Sequence, residues 1–207
     1  VGGYHFLKVL DDSEVAYVLA SRSNNDDAYM VGKIAVSQIQ NLIIAYKERF
    51  DRNNFFQNLI LDNLLLVDIY NRAQKLHIEV EGPRIVYLVE TRLEKDSSGM
   101  ELLRSLFSSQ NGDYITAVDE KNIILIKAVE RDASPESLDL IANTIVDMMN
   151  SEAMLKVRVS YGTVVQELRE VSKSYKEATM AMDVGRIFYA EKNVIAYSTP
   201  VSYTHLR

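Results

Sequence analysis

The sequence contains no cysteine, which removes disulfides, thiolate metal sites and a cysteine nucleophile from consideration and is unremarkable in a reducing compartment. No apolar run approaches the roughly 18 residues needed to span a bilayer, and the N-terminus lacks the basic-then-apolar layout of a signal peptide. A cytoplasmic location without membrane contact is therefore expected. An excess of positive charge is also missing: 23 Lys and Arg stand against 29 Asp and Glu, a net charge of −6. Nothing attracts this chain generally to phosphate backbones, and no Lys/Arg stripe overrides the balance locally. Gly-rich phosphate loops are absent, since Gly2-Gly3 precedes a strand rather than joining strand to helix. No serine stands in a Gly-x-Ser-x-Gly elbow. His5, His77 and His205 are far apart and none has a second ligand at metal spacing, so each reads as a structural histidine.

What remains is ordinary globular material, with 47% hydrophobic and 25% charged residues and enough length for one domain plus part of another. Residues 4–10 and 15–20 read as strands around the Asp11-Asp12-Ser13-Glu14 turn. A hairpin alone is barely stable, so it is expected to be the last edge of a larger sheet. Ala35, Ile39, Leu42, Ile43, Tyr46 and Phe50 then recur at helical spacing, and residues 52–76 continue as one or two further helices. Gly82-Pro83 breaks that pattern and marks the clearest boundary.

Beyond the break the elements follow in a definite order. Arg84 to Glu90 reads as a strand, and Ser98-Gly-Met-Glu101 has capping-box spacing ahead of a helix face of Leu102, Leu103, Leu106 and Phe107. Tyr114 to Val118 and Asn122 to Val129 read as antiparallel strands joined by a tight turn. Ser134-Pro135 places a cap and a first-turn proline before a helix carrying Leu138, Ile141, Ile145 and Met148. Leu155 to Tyr161 is the next strand. Thr163-Val-Val-Gln166 is a second capping-box spacing, expected to open a helix that Gly185 stops, and Asn193 to Tyr197 is a last strand. The order β-α-β-β-α-β predicts an α+β, ferredoxin-like fold with an added helix and strand.

Two stretches carry a family resemblance. Arg72-Ala-Gln-Lys-Leu-His-Ile78 followed by Pro83-Arg-Ile-Val-Tyr-Leu-Val89 is one. Ser160-Tyr-Gly-Thr163 with Ser174-Tyr-Lys-Glu-Ala178 and Met182-Asp-Val-Gly185 is the other. They resemble, over about residues 55–198, the GGDEF-like central domain of sugar-diacid and purine-catabolism regulators of the CdaR/PucR type. The resemblance implies transcriptional control of catabolic genes, with a sensory domain before this region and a helix-turn-helix domain after it. It also suggests four segments: 1–26 as the end of a sensory domain, 27–81 as linker or signalling helices, 82–198 as the degenerate GGDEF-like domain, and 199–207 as a tail. The final Ser202-Tyr-Thr-His-Leu-Arg207 does not resemble the family and reads as foreign read-through, against a natural coil. The start at Val1 and the stop at Arg207 suggest a piece of a longer protein.

Diguanylate cyclases, which such domains resemble, need carboxylates at the first strand and a Gly-Gly-Asp/Glu-Glu-Phe hairpin, because two metals must clamp the triphosphate. Here the hairpin reads Val118-Asp-Glu-Lys-Asn122, without glycine, and the first strand offers only Glu90. Asp119 and Glu120 are an acidic pair whose ordinary reading is solvated turn carboxylates. No enzyme activity, catalytic residue, cofactor or metal is expected. The expected partners are a second copy, docked through residues 27–50, DNA only through a missing downstream domain, and a small-molecule effector. The alternatives are a degenerate nucleotide cyclase that still binds a nucleotide, and a small-ligand-binding regulatory module.

Overall fold

The computed structural model describes residues 3–23, 27–91, 97–107 and 112–198. The chain divides into two compact units, residues 1–52 and 53–207.

In the first unit, β1 (Gly3–Asp11) and β2 (Glu14–Ser23) form the expected antiparallel hairpin. Asp12 and Ser13 both take positive φ at its turn. Helix α1 (Asp27–Ile60) lays its first turns on one face of this hairpin. Gly32 lets the helix come close to Leu7, while the Tyr29 ring meets His5 and Lys47 pairs with Asp11 and Asp12. The apolar stripe read from the sequence therefore splits. Ala35, Ile39 and Ile43 are half-buried, whereas Leu42, Tyr46 and Phe50 are exposed. The break expected near residue 51 does not occur, because α1 runs unbroken to Ile60.

The second unit takes in the last turns of α1, then α2 (Leu66–Lys75), β3 (Glu81–Thr91), α3 (Ser97–Leu106), β4 (Tyr114–Ala117), β5 (Asn122–Ala128), α4 (Pro135–Ser151), β6 (Val157–Tyr161), β7 (Val165–Glu167), α5 (Val171–Phe188) and β8 (Val194–Ala196). The strand order is β4-β5-β3-β6-β8, antiparallel except for the parallel β6/β8 pair, with β7 paired to β3. This is the split βαβ order with an added strand at one edge, an α+β fold.

β3 sits in the middle, and its run Ile85–Val89 is buried throughout. Alternation divides it between two cores. Ile85, Tyr87 and Val89 meet α3 and α4 through Leu103, Leu138, Ile145 and Met149. Val86 and Leu88 meet the end of α1, α2 and α5 through Phe56, Leu59, Ile69 and Met182. At about 2 kcal/mol for each large apolar side chain removed from water, Phe55, Phe56, Leu59 and Ile60 make the end of α1 a substantial part of this core. Polar bonds fix it further, with Gln57 Nε2 donating to Ala117 O at 2.6 Å and Thr116 Oγ1 to Asn53 Oδ1 at 2.8 Å on β4.

Both capping-box readings are corrected. α3 starts at Ser97, which puts Ser98 inside the helix. Thr163 precedes β7 and a 3-10 turn, and α5 starts only at Val171. Instead of capping a helix, Thr163 gives its N–H to Glu177 Oε2 at 2.8 Å and its hydroxyl to the same oxygen at 2.5 Å. Gly185 is not a stop either, since α5 continues to Phe188. The glycine is needed because Ile195 occupies the space a Cβ would take. Ser134 does cap α4, accepting from Ser137 N at 3.2 Å.

One buried side chain stitches the centre. Between β6 and β7 the ladder against β3 is interrupted, and Ser174 fills the gap. Its hydroxyl accepts from Val86 N at 3.0 Å and donates to Thr163 O at 2.8 Å. Gly162 lies so close to the Ser174 carbonyl that no Cβ fits. Ser174→Ala should strand the buried Val86 amide and the half-buried Thr163 carbonyl and cost about 2 kcal/mol, read as a lower urea midpoint at unchanged slope; a loss below about 0.5 kcal/mol would remove Ser174 as the stitch.

Candidate functional site

The turn from β4 to β5 closes onto the end of β3, where Thr91 N donates to Lys121 O at 2.9 Å. Within the turn, Asp119 Oδ1 accepts from Lys121 N at 2.8 Å and Asn122 N at 2.7 Å, and Oδ2 accepts from Asn122 Nδ2 at 2.7 Å. Partial burial pushes the Asp119 carboxyl up, yet these donors and the Lys121 charge outweigh it and hold the group below the usual carboxylate range. A carboxylate saturated this way is a turn organiser. Glu120 beside it is exposed.

Glu90, on the α5 side of β3, is bonded by Arg186 Nη2, while Arg186 Nη1 reaches Asp183 Oδ1 at 2.8 Å. The hydrogen bond to Glu90 raises the Arg186 pKa against the opposing effect of burial. The acidic residues singled out from the sequence thus each have a protein partner or a solvated position. Among the described residues no group of three or more His, Asp or Glu could hold a metal ion. His5 stacks obliquely on Tyr29 with ring centroids 5.9 Å apart, and His77 lies in the turn after α2 in the second unit. Gly2 and His205 lie outside the described residues. Among the described residues neither His5 nor His77 lies beside Asp119 and Glu120.

At the other end of β3 is a cavity of about 470 Å³ that sequence reasoning missed. His77, Glu79, Glu81, Gly82, Arg84 and Tyr114 are among the residues that line it. Arg84 is 4% exposed. Its Nη2 donates to Glu79 O at 2.7 Å and its Nη1 to Gly82 O at 3.2 Å, while buried Nε has no acceptor. The only hint in the sequence is a cation placed directly before an apolar strand.

With this geometry in view, residues 63–184, more than half of the 207-residue chain, match the family described as GGDEF-like domain. The match runs from the loop before α2 to the penultimate turn of α5. No curated protein matches the chain.

Because the folded-state pKa of Asp119 lies below its unfolded value of about 3.9, its stabilisation is complete above that value and is lost as pH falls through the folded one. Asp119→Ala should cost about 1 kcal/mol at neutral pH, and the difference from the parent should close in acid. A pH-independent difference would show that the carboxylate charge plays no part in the turn.

Proposed function

We propose, from the premise that the chain belongs to the GGDEF-like domain family, that it is a non-catalytic regulatory module of a CdaR/PucR-type transcription regulator of catabolic genes. The observation that carries the non-catalytic part is the state of the acids. Asp119 is saturated by turn donors and Glu90 is held by Arg186. A two-metal phosphoryl-transfer centre needs free carboxylates aimed at one point, and these are spent on structure. The cytoplasm is the setting that suits this role, and among the described residues no helix is long and apolar enough to cross a membrane.

In this reading the effector signal arises near the β1–β2 hairpin and passes along residues 27–76 to the GGDEF-like domain. DNA binding belongs to a downstream helix-turn-helix domain. What supports the route is that α1 runs unbroken from the first unit to residues in the core of the second. The chain's negative charge supports assigning DNA contact elsewhere.

The direct test is chemical. Incubated with GTP or ATP and Mg²⁺ or Mn²⁺, the purified chain should give no cyclic product above a protein-free control. Metal-dependent turnover that Asp119→Ala abolishes would overturn the reading in favour of a degenerate cyclase.

We also propose a homodimer through residues 27–50. Leu42 is 68%, Tyr46 73% and Phe50 60% exposed, and apolar surface at this density on one helix calls for a partner. Tyr46→Asp and Leu42→Asp should each weaken self-association at least tenfold in sedimentation equilibrium while leaving the circular dichroism unchanged. A parent chain that stays monomeric at high micromolar concentration removes the dimer.

A further inference from the structure

The loop between α1 and α2, with the helix that follows it, carries apolar side chains that the second unit does not bury. Leu61 is 49%, Leu65 76%, Leu66 47%, Val67 68% and Tyr70 38% exposed. Single exposed leucines are ordinary. Five such residues along one short stretch present apolar surface on the order of a few hundred Å², the size at which a patch on a soluble domain marks an interaction site. This surface belongs to the second unit and is separate from residues 27–50.

Leu65 is the most exposed of the five and stands where another residue would serve the fold better. It is the N-cap of α2, extended at φ −71° and ψ 151°, and its carbonyl accepts from Ile69 N at 3.0 Å. Serine, threonine or aspartate at this position would bond the unpaired N–H groups of the first turn, whereas leucine is among the poorest choices. Leu65 gives α2 no side-chain cap. A leucine kept in water at the expense of a cap is explained by a contact outside the fold.

Helical spacing sets out what a partner would meet. Ile69, Ala73 and Leu76 are buried in the core, and on the opposite side Val67, Asn71 and Gln74 are exposed. Leu66 and Tyr70 flank that exposed strip on one side, Asp68, Arg72 and Lys75 on the other. Among the described residues these three charged groups form no ion pair within the chain. An acid in the first turn and bases in the last suit the dipole of α2 itself. They also make the surface its own complement. With a second α2 laid antiparallel across a dyad near residues 70 and 71, Asp68 of each copy faces Arg72 and Lys75 of the other, and the Leu66 and Tyr70 flanks meet each other.

We propose that the second unit pairs with a second copy of this chain through α2, antiparallel about a dyad at Tyr70 and Asn71, with Leu65, Leu66, Val67 and Tyr70 buried between the copies. Such an isologous contact closes on itself and gives a dimer rather than a filament.

The chain has no cysteine, so single-cysteine variants of the full chain report this contact directly. Under mild oxidation Asn71→Cys, placed at the dyad, should give a disulfide-linked dimer, and Glu152→Cys, exposed at the end of α4, should give none. In sedimentation equilibrium Asp68→Lys and Lys75→Glu should each weaken self-association about fivefold, and the two together should restore it to within about twofold. A role confined to the helix dipole would instead make the double variant the worst of the three. Leu65→Ser should weaken self-association at least tenfold and, in dilute solution, raise the urea midpoint by capping α2. No linked dimer from Asn71→Cys, an equal yield from Glu152→Cys, or additive losses in the double charge variant each overturns the proposal. A parent dimer that none of these substitutions weakens overturns it too, and leaves residues 27–50 as the contact.

Discussion

The second unit is organised by the need to bury one strand on both faces. Ile85 through Val89 of β3 are all within a few per cent of complete burial, and a strand apolar on both sides must be covered twice. Helices α3 and α4 cover one side. The other side requires the end of α1, α2 and α5, since Val86, Leu88, Ile124 and Ile126 would otherwise face water. Helical residues that look like a connector in the sequence are for this reason part of the core. The same requirement accounts for a family match that begins ahead of α2 rather than at the first strand.

The residues that carry the resemblance turn out to encode packing. Ser160 Oγ donates to Ala178 O at 2.7 Å, Thr163 meets Glu177, Ser174 spans β3 and the segment after β6, and Gly162 and Gly185 leave room where α5 comes closest. Every one of these contacts fastens α5 to the sheet. Ser174 suits the task because its hydroxyl takes the Val86 amide that the interrupted β6–β7 edge leaves without a ladder bond. The motif therefore identifies the architecture while saying nothing about turnover.

How much could be read in advance follows from the range of the interactions. The hairpins, the Ser134 cap and the order of strands depend on neighbours in sequence, and they were legible. The capping-box readings at Ser98 and Thr163 failed because Ser/Thr-x-x-Glu/Gln spacing records only a local possibility; Glu177, far along the chain, claimed Thr163 instead. β7, three residues long, is defined by its pairing to β3 and has no pattern of its own. The saturation of Asp119 was half legible, as turn carboxylates usually bond nearby amides. Arg84 was invisible, because its surroundings are backbone carbonyls and left-handed residues, none of which periodicity reports.

Covering both faces of the sheet leaves the strand ends as the places where chemistry can be presented. At the end where β3 finishes, the carboxylates expected from cyclase-like domains are engaged by Lys121, Asn122 and Arg186, so an incoming metal would have to displace several charge-assisted hydrogen bonds at once. At the end where β3 begins, Arg84 is likewise spent on structure, its Nη1 and Nη2 donating to Gly82 O and Glu79 O and its Nε closed off from solvent. Satisfied groups add rigidity and little affinity.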